Sequence, residues 1–249
     1  MQKIIKNLFF IGIFVCILSI FLILGTYLAM KPNLPQIKYV DESELQMPLK
    51  VYTKDDVLIG EFGEIKRRAT SFNDIPENIK NAFLSAEDDN FFNHQGISYS
   101  GLIRSFVRCL RPSGCQGGGG TITMQVVRGY LLTPEQTIVR KIKEIFLALE
   151  LESNIDKEEI FELYVNRIFL GNRSYGIEAA ANTYFNKNLY DLSISESATI
   201  AAIAQLPSRI NPVKNLRRTL QRRDWILSRM YLLNHIDKNE YLEAISEDI

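Results

Sequence analysis

The run Ser85–Gly96, SAEDDNFFNHQG, sets two adjacent carboxylates, Glu87 and Asp88, against Phe91 and Phe92, with His94 just beyond. A carboxylate held against aromatic surface loses solvation, which disfavours its charged form and suits it to accept a proton in a reaction. Glu87 is the candidate base. The same letters also describe an acidic helix end, with Glu87, Asp88 and Asp89 in water and the phenylalanines in a core. Two further stretches weigh on that choice.

Gly117–Gly120 leads into Thr121, Ile122 and Thr123, then Gln125 and Arg128. Glycines allow close backbone approach to a phosphate, and amides at a helix start favour anions, so Arg128 would extend an anion site. No Gly-Lys-Ser/Thr follows, so this is not a Walker loop; a flexible loop is the alternative. From Thr137 to Glu152 the spacing predicts a helix that buries Ile138, Ile142, Ile145 and Leu149 and shows Arg140, Lys141, Lys143 and Glu144 on its other face. Arg140 and Lys141 stand at i,i+4 and i,i+3 to Glu144 and favour its ionised form. Two carboxylates in contrasting environments are a recurring way of dividing acid and base roles. Charge pairs on a solvated helix face are the plainer account. Glu162 and Asn166, four apart on a mostly apolar helix, are either pocket walls or structural hydrogen bonders.

The bulk numbers narrow the class. The chain has 249 residues, 46% hydrophobic and 23% charged, with formal net charge zero, so there is no global attraction to nucleic acid and any electrostatic function must come from local patches. Three cysteines and two histidines suit neither a disulfide scaffold nor a His-rich metal site. From Asn7 to Met30 no residue is charged, and the run is long enough to cross a bilayer as a helix. Lys3 and Lys6 favour an amino end inside and the remaining chain outside. Leu28-Ala29-Met30 is a poor cleavage site, so 1–30 reads as an uncleaved anchor rather than a signal peptide. Residues 31–47 read as a linker, and 48–249 as one domain. Pro48–Phe62 predicts a hairpin around Lys54-Asp55-Asp56. Capping boxes at Asp74/Glu77, Asp156/Glu159 and Ser193/Glu196 predict helices leading into Glu87, through Leu170 and up to Pro207. A last helix is expected over about Leu216–Leu233. Leu102, Ile103, Phe106, Val107 and Leu110 share one helical face, with Arg104, Arg108 and Arg111 on another. That helix either lies on an anionic membrane or faces a core. Cys109 and Cys115 bracket a short loop and could pair outside the cytoplasm.

Five motifs in order resemble the peptidoglycan glycosyltransferases of glycosyltransferase family 51, which include monofunctional enzymes and the N-terminal domain of class A penicillin-binding proteins. They are Glu87, Asp88, Phe91, His94 and Gly96; Gly118–Gln125; Arg140, Lys141 and Glu144; Ile160, Glu162, Tyr164, Asn166 and Gly171; and Arg222, Ile226, Leu227 and Met230. The resemblance implies a mainly α, lysozyme-like, two-lobed domain with a small β-hairpin beside the membrane. It implies a single-pass protein of the bacterial cytoplasmic membrane whose domain is extracytoplasmic. The implied reaction joins lipid II units into glycan strands, inverting MurNAc C1 and releasing undecaprenyl diphosphate. Glu87 would be the base and Glu144 its catalytic partner. Asp88, Phe91, His94, Thr121, Thr123, Gln125, Arg128, Arg140, Lys141, Lys143, Glu162 and Asn166 would bind substrate. A divalent cation, Mg2+ or Mn2+, is compatible with the site, and no organic cofactor is expected. Expected partners are lipid II, the nascent strand, the membrane and cell-wall synthesis proteins. Neither Ser-x-x-Lys nor Lys-Thr-Gly occurs, so no transpeptidase domain is expected. Gly120 stands where the family commonly has Ser, Gly129 where Asn is common, and Gln136 where Arg is common; these departures bear on rate. Two other readings stay open: a lipid II-binding scaffold without turnover, and a lytic enzyme that cleaves glycan.

Overall fold

The computed structural model describes 24–35 with scattered positions before them, 37, 49–55, 58–62, 70–109, 120–133, 135 and 137–248. The domain is mainly helical. Helix α1 is described at 24–30. Strands β1 (Leu49–Tyr52) and β2 (Leu58–Phe62) form an antiparallel hairpin in which Leu49 faces Phe62, with an irregularity between Val51 and Tyr52. Then come α2 (Glu77–Glu87), α3 (Tyr99–Cys109), α4 (Ile122–Tyr130), α5 (Ile138–Glu152), α6 (Lys157–Arg167), α7 (Ile177–Phe185), α8 (Ile194–Ala204), α9 (Pro212–Leu232) and α10 (Lys238–Ser246).

Helix α8 is the axis of the core. Its residues Ser195 to Ile203 are all buried, because small Ala and Ser side chains let α2 and α9 pack closely against it. Both halves of the Ser193/Glu196 capping box form, which satisfies donors at a helix end that water cannot reach. The helix stops at Ala204, three residues short of Pro207. Arg223 of α9 is buried and donates to Ser195 Oγ and to the carbonyls of Ile245 and Glu247, tying α8, α9 and the end of α10 together. Helix α10 and its Asp237/Glu240 capping box, together with α7, extend the helical content beyond the segments expected.

Three expectations are corrected. The Asp74/Glu77 box does not form: Pro76 takes the cap position, and Asp74 accepts from Ser71 Oγ instead. Asp156 stands at the cap of α6 without a side-chain cap bond, and that helix ends at Arg167, not Leu170. Helix α5 buries Glu144, Leu147, Ala148 and Leu151 fully, while of the expected stripe Ile142 and Ile145 are half-buried, Ile145 packing on the core, and Leu149 is exposed. Beside Glu144 the buried stripe also carries three apolar residues. Contact with α4 decides which stripe faces in.

The N-terminal segment is joined to the domain. Tyr27 meets Phe146 of α5 edge-on at 5.1 Å, Lys31 lies over the Tyr27 ring, and Leu34 and Ile37 pack on the core. Among the described residues no helix is long and apolar enough to cross a membrane. Most of the anchor expected at 1–30, most of the linker at 31–47, Cys115, Gly117–Gly119 and Gln136 lie outside the described residues.

Candidate active site

Glu87 closes α2, half-buried, and Gln125 of α4 donates from Nε2 to its Oε2 at 2.9 Å. The next residue has the opposite fate. Asp88 is buried, and its Oδ2 accepts from His94 Nε2 at 2.9 Å and from the backbone N–H of Ile122 at 3.1 Å. A carboxylate at the first amide of α4 complements the positive end of the helix dipole. Lys157 approaches His94 Nδ1 at 3.5 Å; an ammonium only donates, so Nδ1 accepts and Nε2 carries the proton toward Asp88. Lys157 also binds Glu152 at 2.6 Å, which accepts from Thr123 Oγ1, and its ammonium lies 4.4 Å from the Phe91 ring centre. Thr121 caps α4 by accepting from Met124 N and donates to Gly96 O at 2.6 Å. Asp88, Phe91, His94, Thr121 and Thr123 thus form a closed polar and aromatic mount that fixes the start of α4. Gln125, and through it Glu87, stands on that mount.

Glu144 is 0% exposed. Its Oε1 accepts from Lys141 Nζ at 2.9 Å, while its Oε2 is buried without a hydrogen-bond partner. Among the described residues no ion pair joins Arg140 to Glu144, and Arg140 Nε is itself buried and unpaired. Gly120 lies above this pair: a Cβ there would stand 3.7 Å from Glu144 Oε1 and 3.8 Å from Lys141 Nζ. Lys143 is half-buried on the same helix. Among the described residues no group of three or more His, Cys, Asp or Glu side chains could hold a metal ion.

Between α4 and α6 is a cavity of about 210 Å³ whose lining includes Gln125, Arg128, Gly129, Tyr164 and Arg167. Gln125 links it to Glu87; neither Glu87 nor Glu144 lines it. Tyr164 is 4% exposed and its hydroxyl has no partner. Burial, then the charge of Glu87, pushes this phenol well above its usual pKa of 10.0, so it stays a neutral donor. Arg222 of α9 reaches the same end of α2: it donates to Ala86 O, its guanidinium lies 3.9 Å over Trp225, and burial lowers its pKa against the opposing pull of Glu87. Glu162 and Asn166 do not enter the cavity. Glu162 accepts from Phe72 N at 2.8 Å, and Asn166 clasps both the N–H and the carbonyl of Thr70 at 2.9 Å. Of the residues expected to touch substrate, Gln125 and Arg128 line the cavity; Arg140, Lys141, Lys143 and Glu144 lie on α5, where Gly120 sits over the Lys141–Glu144 pair, and do not line it.

In the sequence, Tyr164 and Arg222 stand out only as members of the five motifs, without a role at the site, and Arg167 belongs to none of them. Tyr164 carried one signal, a hydroxyl on the buried face of an apolar helix. Arg167 carried none beyond its charge.

A helical domain with an acidic residue beside a cationic cavity suits transfer of a sugar from an anionic leaving group, and comparison gives the class. The family model described as "Transglycosylase" matches 55–231, and the chain belongs to that family, a peptidoglycan glycosyltransferase domain of glycosyltransferase family 51. It is 50% identical over 225 residues to penicillin-binding protein 1A of Pseudomonas aeruginosa, covering 90% of this chain and 27% of that one. The protein of the same name from Escherichia coli is 36% identical over 248 residues, 100% of this chain and 29% of that one. The chain therefore spans less than a third of the length of these relatives. A crystal structure of penicillin-binding protein 1A from Haemophilus influenzae matches at 33% identity and a TM-score of 0.49, covering 83% of this chain and 21% of that one.

Proposed function

We propose that this chain polymerises lipid II into glycan strands on the outer side of a membrane. The observation that carries this reading is Glu87 held by Gln125 at the edge of a cavity lined by Arg128. Glu87 takes the proton from the 4-hydroxyl of the acceptor GlcNAc. The freed electron pair of that oxygen attacks C1 of the donor MurNAc, and the C1–O bond to diphosphate breaks with its electrons leaving on the phosphate. Attack opposite the leaving group turns the α linkage into β, and it needs the base and the anion site to lie on opposite sides of the sugar. Arg128, with Arg140, Lys141 and Lys143, would offset the charge that develops on the departing diphosphate.

Glu144 acts differently from Glu87 in this reading. Fully buried against Lys141, it orients that cation rather than meeting the sugar. Its unpaired oxygen also fits a divalent cation shared with the diphosphate, since Mg2+ in phosphate sites takes one or two carboxylates together with phosphate oxygens and water. Such an ion would supply further positive charge at the leaving group.

Two features support a membrane location. The apolar run Asn7–Met30 ends in a helix whose Tyr27 packs on α5. On α3, Tyr99, Ile103 and Val107 are 71%, 65% and 48% exposed along one stripe, apolar surface suited to lipid. The test is incubation of the chain with labelled lipid II in detergent, with glycan strands resolved by gel. Strands of many repeats are the expected product; intact lipid II, or cleavage of purified sacculi without lipid II consumption, would sink the reading.

A further inference from the structure

Arg167 ends α6 half-buried, yet its guanidinium does not turn to solvent alone: it lies 4.1 Å over the ring of Tyr130 at the wall of the cavity. What admits it there is Gly129. A Cβ at 129 would already touch Arg167 Nε at 3.4 Å and Cδ at 3.6 Å, so a larger side chain would occupy the path that Arg167 takes. A glycine within a helix is otherwise disfavoured relative to alanine, and here its bare face is used. Tyr130 in turn is fixed by its hydroxyl donating to the Leu163 carbonyl across the two helices.

The cavity therefore holds two guanidinium groups, Arg128 and Arg167, and no acidic side chain lines it. Neither arginine has a carboxylate partner among the described residues. Beside them the Tyr164 hydroxyl is buried, protonated and without an acceptor. A buried donor with no acceptor is costly, and two like charges facing one cavity repel; an anion with several oxygens relieves both at once. We infer that Arg167 is a positioning residue for a diphosphate, reaching the cavity past Gly129 to hold, with Arg128 and the Tyr164 hydroxyl, the anionic group next to Glu87. This rests on the glycosyltransferase reading for the source of the diphosphate, but the anion site itself does not depend on turnover.

The test separates the two. Binding of inorganic pyrophosphate and of undecaprenyl diphosphate in micelles is measured by calorimetry on the whole chain, alongside kcat and KM for lipid II. The variants are Arg167→Ala, Arg167→Lys, Tyr164→Phe and Gly129→Val, each checked for an unchanged melting transition. Arg167→Ala is expected to weaken binding of both ligands by roughly tenfold or more and to raise KM with a smaller change in kcat, the size of a lost charge-assisted hydrogen bond. Arg167→Lys restores part of the loss, and Gly129→Val behaves like Arg167→Ala while keeping the arginine. Unchanged affinity for both ligands in Arg167→Ala overturns the proposal. Weaker pyrophosphate binding with unaltered lipid II kinetics and undecaprenyl diphosphate affinity also overturns it, since the site would then serve a free anion. A chain that binds pyrophosphate through Arg167 yet never consumes lipid II keeps the anion site and removes the enzymatic reading instead.

Discussion

The Nε2 of Gln125 donates to Glu87 Oε2 across 2.9 Å, so the carboxylate that closes α2 is aimed by a side chain from the second turn of α4. Removing that donor in Gln125→Ala should leave the fold intact and the base poorly aimed. A hydrogen bond to a charged group contributes about 1.5–3 kcal/mol, so kcat for lipid II should fall roughly 10- to 100-fold. The melting temperature should hardly move. A variant with wild-type kcat would show that Glu87 needs no such support.

The mount beneath α4 gives a different signature. Gly96 has φ +77°, and a Cβ on it would meet Ala148 O at 2.7 Å, so the loop rests directly on the α5 backbone. Gly96→Ala should cost at least about 2 kcal/mol through the left-handed backbone and the clash. Chemical denaturation should show it as a lower midpoint with an unchanged slope. Little or no shift would mean that the loop moves freely off α5.

Gly120 bears on Glu144. Gly120→Ser places a hydroxyl within reach of Glu144 Oε1 and Lys141 Nζ, adding a donor beside a buried carboxylate that has only one. A satisfied buried carboxylate should raise stability by about 1 kcal/mol. Faster polymerisation should accompany it if the Lys141–Glu144 pair serves the leaving group. Thermal melts and strand-length gels read the two effects separately; a loss of stability would mean that the space above Glu144 is not open to a hydroxyl.

His235 supplies a pH dependence remote from the site. His235 is exposed at its surface, and the partial desolvation of its ring lowers its pKa from 6.5, against a smaller opposing pull from Glu77. The folded chain therefore prefers neutral His235, and the associated stability is present above pH 6.5 and lost as pH falls below it. Melting curves between pH 7.5 and 5 should lose less stability in His235→Gln than in the wild type over that window. Equal losses would remove His235 as a contributor.

Much of this site was legible because short-range chemistry wrote it. The Ser193/Glu196 box, the helix expected over Thr137–Glu152, the hairpin and the run around Glu87 each depend on residues a few positions apart. What escaped was decided by packing. Helix α5 has apolar residues on more than one face, and its packing against α4 and beneath the Gly96 loop turns Glu144 inward. Asp88 and His94 look like pocket residues by type, yet their polar atoms are taken up by Ile122 N–H and Lys157 from distant segments. Glu162 and Asn166 likewise spend their groups on the backbone at Phe72 and Thr70. Arg167 was invisible because its role comes from a glycine on another helix.

The most direct measurement is single-turnover polymerisation of labelled lipid II by Glu87→Gln, with substrate binding followed in parallel. Loss of a general base costs typically 10²- to 10⁴-fold, so the rate should fall by about that much while affinity stays near the wild-type value. A variant that polymerises within a few-fold of the wild type would contradict the assignment of Glu87 as the proton acceptor.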